Sequence, residues 1–460
     1  MKHTATQLLI CAALSGCAPL GPNYSTPKMN LASNFFSAPA QSNIQSQTLA
    51  AFEQWWEFFR DPTLGRLVWH GLSENLEVAA AMERLREAEK ALEKFGLESQ
   101  ATGDVELAAG RERASGTIDN VANASIRTSF TFDVFGAVRR SQEQAIAIKE
   151  ARDFEIGVVR LTLLSSLVES YIRARYFQEA AAITRSTIAS RRKLLGQVNI
   201  MRRAENATVL EVEQARTLLA TSEATLPPLE AGFDANVFRI STLLASPSDP
   251  VMSLLRPGAA QPRPHGSTSV GIPADLLRNR PDVRRAEREL AAATAAIGIA
   301  EAQLYPSLRL DGTITLGDDK GWNFGPRLTL PVLGRKRLNA DRNIAMSRAR
   351  QAELAWRQTV MQAIEEVQTA LSECRHYSRQ VQAHRAALRP SQRLLTMSRE
   401  SYQRGESTLL DVINAEISLS DTQLSLAAAR RDYAIAWASV QVSAGKGWGD
   451  MEQPEKLALK

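Results

Sequence analysis

The chain repeats itself, and the repeat limits what it can fold into. Residues Ala207-Thr208-Val209-Leu210-Glu211-Val212-Glu213-Gln214-Ala215 share a pattern with Ser407-Thr408-Leu409-Leu410-Asp411-Val412-Ile413-Asn414-Ala415. Phe130–Gly136 likewise aligns with Leu328–Gly334, and Asn75–Leu92 with Arg280–Ile297, where Val78 corresponds to Val283, Ala81 to Ala286, Leu85 to Leu290 and Ala88 to Ala293. All three pairs are separated by about 200 residues, a constancy that chance does not supply. Two copies of one unit follow, at about 73–246 and 273–446, joined by a connection at 247–272. Whatever one copy builds, the other builds too.

Each copy reads as a helical segment, a strand hairpin, then a very long helix that turns at a tip and returns. In the second copy Pro306–Leu316 alternates apolar with polar residues, Gly317-Asp318-Asp319-Lys320-Gly321 is a turn, and Trp322–Leu333 returns, giving a hairpin over about 306–333. In the first copy Asp104–Arg113 and Ala124–Val134 form a hairpin over about 104–134, joined by a polar loop near Gly116-Thr117-Ile118-Asp119-Asn120. Strands of about ten residues suffice to cross a bilayer when tilted. Taken alone, the same pattern also fits a surface hairpin of a soluble domain.

Proline is absent from Gly136 to Arg203. A helix of that span, about 136–203, is a rod of roughly 100 Å. Phe154, Val158, Leu161, Leu164, Val168 and Tyr171 fall at coiled-coil spacing along it, as do Val360, Ile364, Val367 and Leu371 in the matching helix at about 335–403. Pro390 is expected to kink that second helix. The returning arm 207–244 is expected to break at Pro227-Pro228, a shorter helix is expected over 280–304, and the stretch 246–273 reads as irregular. The second return arm, 407–444, finds its complement in a helix over 74–95.

The amino terminus is a targeting signal. Lys2 and His3 precede a short apolar run, and Leu14-Ser15-Gly16-Cys17 closes it, so residues 1–16 are a signal peptide and 17–72 a lipidated amino-terminal segment acylated on Cys17. Ala18 is compatible with export to the outer membrane. Of the three cysteines, Cys11 leaves with the signal and Cys17 carries lipid, which leaves Cys374 as a lone packing residue. Residues 447–460 form a tail. No run of 18 apolar residues is present in the mature sequence, so any span must be made of strands.

Enzyme chemistry is not indicated. There is no P-loop, GxSxG or HExxH, and His3, His70, His265, His376 and His384 are scattered, so neither a metal nor a cofactor is expected. The formal charge of +5 comes without any Lys/Arg block interleaved with aromatics, which argues against nucleic acid. Trp55 and Trp56 read as packing anchors.

Nearly the whole mature chain resembles the TolC-like outer-membrane factors, specifically the NodT-type lipoproteins that serve resistance-nodulation-division (RND) pumps. The resemblance rests on Cys17-Ala18-Pro19 with Gly21-Pro22-Asn23-Tyr24, Trp55-Trp56 with Asp61-Pro62, Asp133-Val134-Phe135-Gly136, the long run Pro273–Val283 continuing to Tyr305-Pro306-Ser307-Leu308, and Tyr402, Gly405 and Leu410-Asp411-Val412. It implies a fold that is mainly α with a β-barrel part: a homotrimer whose chains each give four strands to a shared twelve-stranded barrel, with long helices joining a hollow α-barrel. It further implies an exit duct for small-molecule cargo, anchored by lipid in the outer membrane and extending into the periplasm. A periplasmic membrane-fusion adaptor would meet the helical tips, with an inner-membrane RND pump beneath. Family members narrow at those tips through acidic rings and tyrosine-centred bonds. Tyr402 and Asp411 match these positions, whereas Asn414 stands at the second acidic position and Ser407 where an Arg is common. In the first copy Glu211 and Gln214 take the corresponding places. Three Asp411 carboxylates near an axis would raise one another's pKa. The duct of a type I protein-secretion system shares the architecture, but such ducts are usually unlipidated. A lipid-tethered coiled-coil scaffold would leave the two hairpins unexplained.

Overall fold

A computed structural model describes residues 19–30, 54–95, 100–114, 117–266, 268, 278–317 and 320–449, with the side chains of 112–121 excepted. Cys17, the signal peptide and residues 273–277 of the Pro273–Val283 run lie outside the described residues. The elements are a 3₁₀ turn at Trp55–Phe59, α1 Pro62–Glu74, α2 Leu76–Glu93, β1 Ala101–Ala114, β2 Thr117–Phe132, α3 Ala137–Arg203, α4 Val209–Leu243, α5 Ser248–Leu255, α6 Pro281–Ala302, β3 Ser307–Gly317, β4 Gly321–Thr329, α7 Arg335–Gln403 and α8 Leu409–Ser443. The order α2-β1-β2-α3-α4 recurs as α6-β3-β4-α7-α8. The chain divides into two compact units, one of residues 1–30, 81–155 and 282–360, the other of 31–80, 156–281 and 361–460.

The first unit is centred on one antiparallel sheet of order β1-β2-β3-β4. Its register sorts side chains by chemistry. Val105 lies opposite Ile126, Ile126 opposite Ile314 and Ile314 opposite Trp322, one apolar row crossing all four strands. Parallel rows place Phe130 beside Leu310 and Phe132 beside Leu308 and Leu328. These residues share one face because strand side chains alternate. That face is bare: Trp322 is 80% exposed, Leu107 78% and Phe324 68%. The other face carries Glu106, Arg127, Ser129, Arg309, Asp311 and Arg327, tied by bonds from Arg127 to Glu106 (2.6 Å) and from Ser129 to Asp311 (2.9 Å). An apolar face turned outward on an otherwise polar sheet is the pattern of a lipid-facing barrel wall. Among the described residues no strand pairs with the outer edges of β1 and β4.

The first hairpin is longer than its sequence indicates. Residues 117–120, expected in the loop, are paired strand, with Thr117 opposite Ala114 and Asn120 opposite Arg111. Strand propensity reflects surroundings more than composition, and the ladder already fixed by Val105–Ile126 carries the polar residues along.

The helices depart from expectation in a similar way. α4 runs unbroken through Pro227 and Pro228, and α7 through Pro390. Each proline removes a backbone donor, but packing against α3 restores the arm. Ion pairs Arg192–Glu223 (2.7 Å) and Arg185–Glu230 (2.6 Å) join α3 to α4 on either side of the two prolines. Gly232 lets the Phe177 ring lie against α4, where a Cβ would meet it at 2.5 Å. Tertiary contact overrides the local preference.

The second unit also contains two helices not foreseen. α1 lies within the segment read only as lipidated leader. Pro62 occupies its first position and Asp61 caps it, accepting from Thr63 and Leu64 backbone N–H groups at 2.9 and 3.3 Å. Asp61 also accepts the Tyr171 hydroxyl at 2.6 Å, and Arg175 lies over that ring. Burial and the carboxylate push the Tyr171 phenol well above its ordinary range. Trp55, Trp56 and Phe59 are buried around Trp437 and Trp69 in edge-to-face contacts, Trp55 tilted against Trp437. α5 lies in the connection read as irregular. Cys374 is buried in α7, and desolvation pushes its thiol up to about 11, so it packs as a small apolar group.

The sheet makes a test possible. Ile314→Arg places a charge on the apolar face, a cost of about 2–4 kcal/mol at mid-bilayer, whereas Thr313→Arg adds one to the polar face. Membrane-inserted protein, quantified by heat-modifiable migration, should fall at least tenfold for the first and stay near parent level for the second. Equal yields would refute the assignment of faces.

Candidate functional site at the helical tips

All the tip residues lie in the second unit. Both helical turns close in the same way. α3 ends in Arg203 and α7 in Gln403, and each is followed by a residue of positive φ, Glu205 at 58° and Gly405 at 77°. The amides three residues past the helix reach back, Asn206 N–H to Met201 O and Glu406 N–H to Ser401 O, both at 2.9 Å. Glu205 N–H and Gly405 N–H bond Arg202 O (3.1 Å) and Tyr402 O (3.0 Å). This double closure satisfies carbonyls that the helix end leaves open.

The returning helices start with paired caps. Thr208 Oγ1 accepts from Glu211 N–H at 3.2 Å, and Glu211 Oε2 accepts from Thr208 N–H at 2.7 Å. In the second copy Thr408 and Asp411 make the same exchange at 3.4 and 2.9 Å, with the Thr408 hydroxyl donating to Asp411 Oδ2 at 2.7 Å. The acids Glu211 and Asp411 therefore fasten their own helix starts. The pKa of Asp411 is lowered, first by the Thr408 hydroxyl and then by its amide. Within one chain the shift thus runs opposite to the rise expected from three like charges, because two donors hold the carboxylate.

Between the turns, Leu194, Val198, Ala207 and Val212 of the first hairpin pack with Leu409, Val412 and Ile413 of the second. Tyr402 borders this cluster. Its hydroxyl is buried without a hydrogen-bond partner among the described residues, and desolvation followed by the charge of Glu211 raises its pKa. The tyrosine-centred bond expected at the tip is therefore not made among the described residues. Asn414 is exposed on α8. Apolar side chains also face solvent here: Leu210 is 67% exposed and Leu410 52%.

Above the tips lies a charged group that sequence reading missed. Glu416 of α8 is buried and accepts a short bond from Arg399 of α7, while Arg191 of α3 faces it at 3.9 Å. Arg399 also donates to Ser190 at 2.8 Å, and Arg191 donates to Ser222 of α4 and to Leu218 O. All four helices meet in this group. An acid three residues beyond Ile413, on the apolar side of a coiled-coil pattern, was the available signal.

These features define a class: subunits of outer-membrane channels in which a lipid-facing sheet is joined to long paired helices with capped tips. The chain belongs to the outer membrane efflux protein family, whose description matches residues 272–446. Nodulation protein T of Rhizobium leguminosarum bv. trifolii is 35% identical over 453 residues, 95% of each chain. The pyoverdine export outer membrane protein OpmQ of Pseudomonas aeruginosa is 28% identical over 467 residues, 95% of this chain and 96% of that one. The solved structure of the outer-membrane channel OprN superposes with a TM-score of 0.85 at 25% identity, covering 94% of this chain and all of that chain.

The caps predict a pH response. A depressed carboxylate contributes stability above its ordinary value near 3.9 and loses it as pH falls through the lower folded value. Amide exchange at residues 409–412, corrected for intrinsic rates, should be flat from pH 7 to 5 and rise below pH 4. Thr408→Ala should raise it several-fold at every pH. Unchanged exchange in that variant would remove the cap from the account of the tip.

Proposed function

We propose that the protein is the outer-membrane exit duct of a tripartite efflux pump, passing small molecules delivered by an inner-membrane RND pump through a periplasmic adaptor. The observation that carries this is the four-stranded sheet, apolar on one face and open at both edges. Four strands cannot enclose a pore, since barrels of this kind have at least eight. Three copies joining β4 of one to β1 of the next give twelve, an even number within the bacterial range. The efflux names of relatives such as OpmQ support the same reading. So do OprN and its channel fold. The duct conducts and does not catalyse.

Acylation of Cys17 adds a lipid anchor, in which each buried CH₂ contributes about 0.8 kcal/mol. Capped, apolar-studded tips offer Leu210 and Leu410 to the adaptor. In the trimer the tips form the gate. The Tyr402 hydroxyl, without an acceptor among the described residues, finds one on the neighbouring copy, and Asp411, held ionised by Thr408, forms a ring of three charges that attracts cations. Glu211 keeps the adjacent hairpin in register, and Asn414 leaves the second ring uncharged.

Detergent-extracted protein should run as a trimer whose mature amino terminus is an acylated Cys17 by mass spectrometry. A monodisperse monomer sinks the duct, and an unmodified Cys17 sinks the anchor.

Planar-bilayer recordings test the gate. A hydrogen bond contributes about 1 kcal/mol, and Tyr402→Phe removes three per trimer, so conductance should increase. Asp411→Asn should weaken block by divalent cations. Parent-like behaviour of both variants would place the constriction elsewhere.

A further inference from the structure

In the first unit, Arg140, one turn into α3, is a buried and heavily bonded side chain. It is 2% exposed. Its guanidinium donates to the carbonyls of Leu20 (2.9 Å), Gly21 (3.2 Å) and Pro19 (3.4 Å) and to Asn23 Oδ1 (2.8 Å), and it pairs with Glu143 at 2.6 Å. Leu20 N–H donates to Phe135 O at 3.3 Å. Two glycines make room for the segment. A Cβ on Gly136 would meet Pro19 Cα at 2.5 Å, and one on Gly298 would meet Leu20 O at 2.6 Å. Farther along, the Tyr24 and Thr26 hydroxyls both donate to Glu287 at 3.1 Å, and Arg288 lies over the Tyr24 ring.

We infer that Arg140, Gly136 and Gly298 form a receptor for the chain's own amino-terminal segment, and that its occupation sets where the acyl chains on Cys17 enter the membrane. The placement of the anchor rests on the acylation proposed above. A flexible tether needs no buried charge, and a guanidinium enclosed among apolar groups is costly unless its donors are filled. Here four of its contacts come from residues 19–23, so an empty receptor is strongly disfavoured. The guanidinium reads backbone carbonyls, and its planar fork spans several of them, which a point charge cannot do. Cys17 is two residues from Pro19 and so lies within about 7 Å of it. Pro19 rests on Gly136, between the end of β2 and the start of α3. The acyl chains therefore emerge where the apolar face bearing Phe130 and Phe132 ends. Seating the segment ties the anchor to one level of the sheet.

The test uses the full-length protein in outer membranes. Arg140→Ala removes the fork, Gly298→Ala pushes the Leu20 carbonyl out, and Arg140→Lys keeps the charge beside Glu143 but loses the fork. Gly65→Ala, at a position with no neighbour within 4 Å, is the control. Three readouts are taken: acylation by mass spectrometry, tryptic cleavage after Lys28, and the heat-modifiable trimer. Acylation should be unchanged throughout. Cleavage should be about tenfold faster in all three receptor variants, trimer yield should fall several-fold, and the control should match the parent. Parent-like cleavage in Gly298→Ala and Arg140→Lys, with Cys17 acylated, overturns the receptor. Fast cleavage with full trimer yield overturns its role in placing the anchor. Rapid cleavage in the variants of a protein whose Cys17 proves unmodified leaves the receptor standing and removes the anchor it was to place.

Discussion

Backbone hydrogen bonding inside lipid is the constraint on which the rest of this structure depends. Within hydrocarbon an unpaired N–H or C=O costs several kcal/mol, and an open four-stranded sheet leaves a row of them along β1 and another along β4. Side chains cannot repair this, because the face that meets lipid is apolar: Val105, Ile126, Ile314 and Trp322 in one row, with Leu107 and Phe324 beside it. Nor do the described residues contain another strand to add. The edges have to be completed by copies of the same edges, which makes assembly a condition of insertion. The sequence duplication fits that need, since two hairpins of the same type already pair as β2 with β3 within each chain.

The helical part solves a different problem. A helix of 67 or 69 residues has few local means of fixing its register against neighbours, because small residues such as Ala363 and Ala370 pack in many offsets. Fixed points are supplied by polar groups. Asp61 joins the α1 cap to Tyr171, Gln261 reaches Ala427 O at 3.0 Å, and Glu416 collects two arginines. Buried ions are poor sources of net stability but good arbiters of alignment, since any slip leaves a charge unpaired.

Much of this was legible in the sequence, for reasons that differ by element. The repeat, the long helices and the second hairpin are carried by periodicity that survives in the fold. Other features were not legible, among them three. Pro227 and Pro228 read as a break, because a helix held by Phe177 and two ion pairs looks locally the same as one that is not. Residues 117–120 read as loop, because their polar composition hides a register fixed farther down the strand. Asp411 and Glu211 were marked for the pore on likeness alone, yet their first role is visible in the spacing Thr-x-x-Asp and Thr-x-x-Glu, a capping signature that the functional reading passed over.

The tips also show what duplication permits. Positions 200 apart occupy matching places, and at the level of the charged group they have diverged into complements. Arg191 meets Ser222, and its counterpart Ser391 meets Thr422 at 3.2 Å, so the contact survives while the chemistry differs. Glu416 corresponds to Arg216, which pairs on the surface with Glu213 at 2.8 Å, and Arg399 corresponds to Asn199. Two copies of the first hairpin would place only basic charges at these positions, Arg191 and Arg216 on each side, and would repel. Divergence at 191, 399 and 416 converts that repulsion into one carboxylate shared between two guanidiniums from different copies. That shared carboxylate ties the first hairpin to the second at this level.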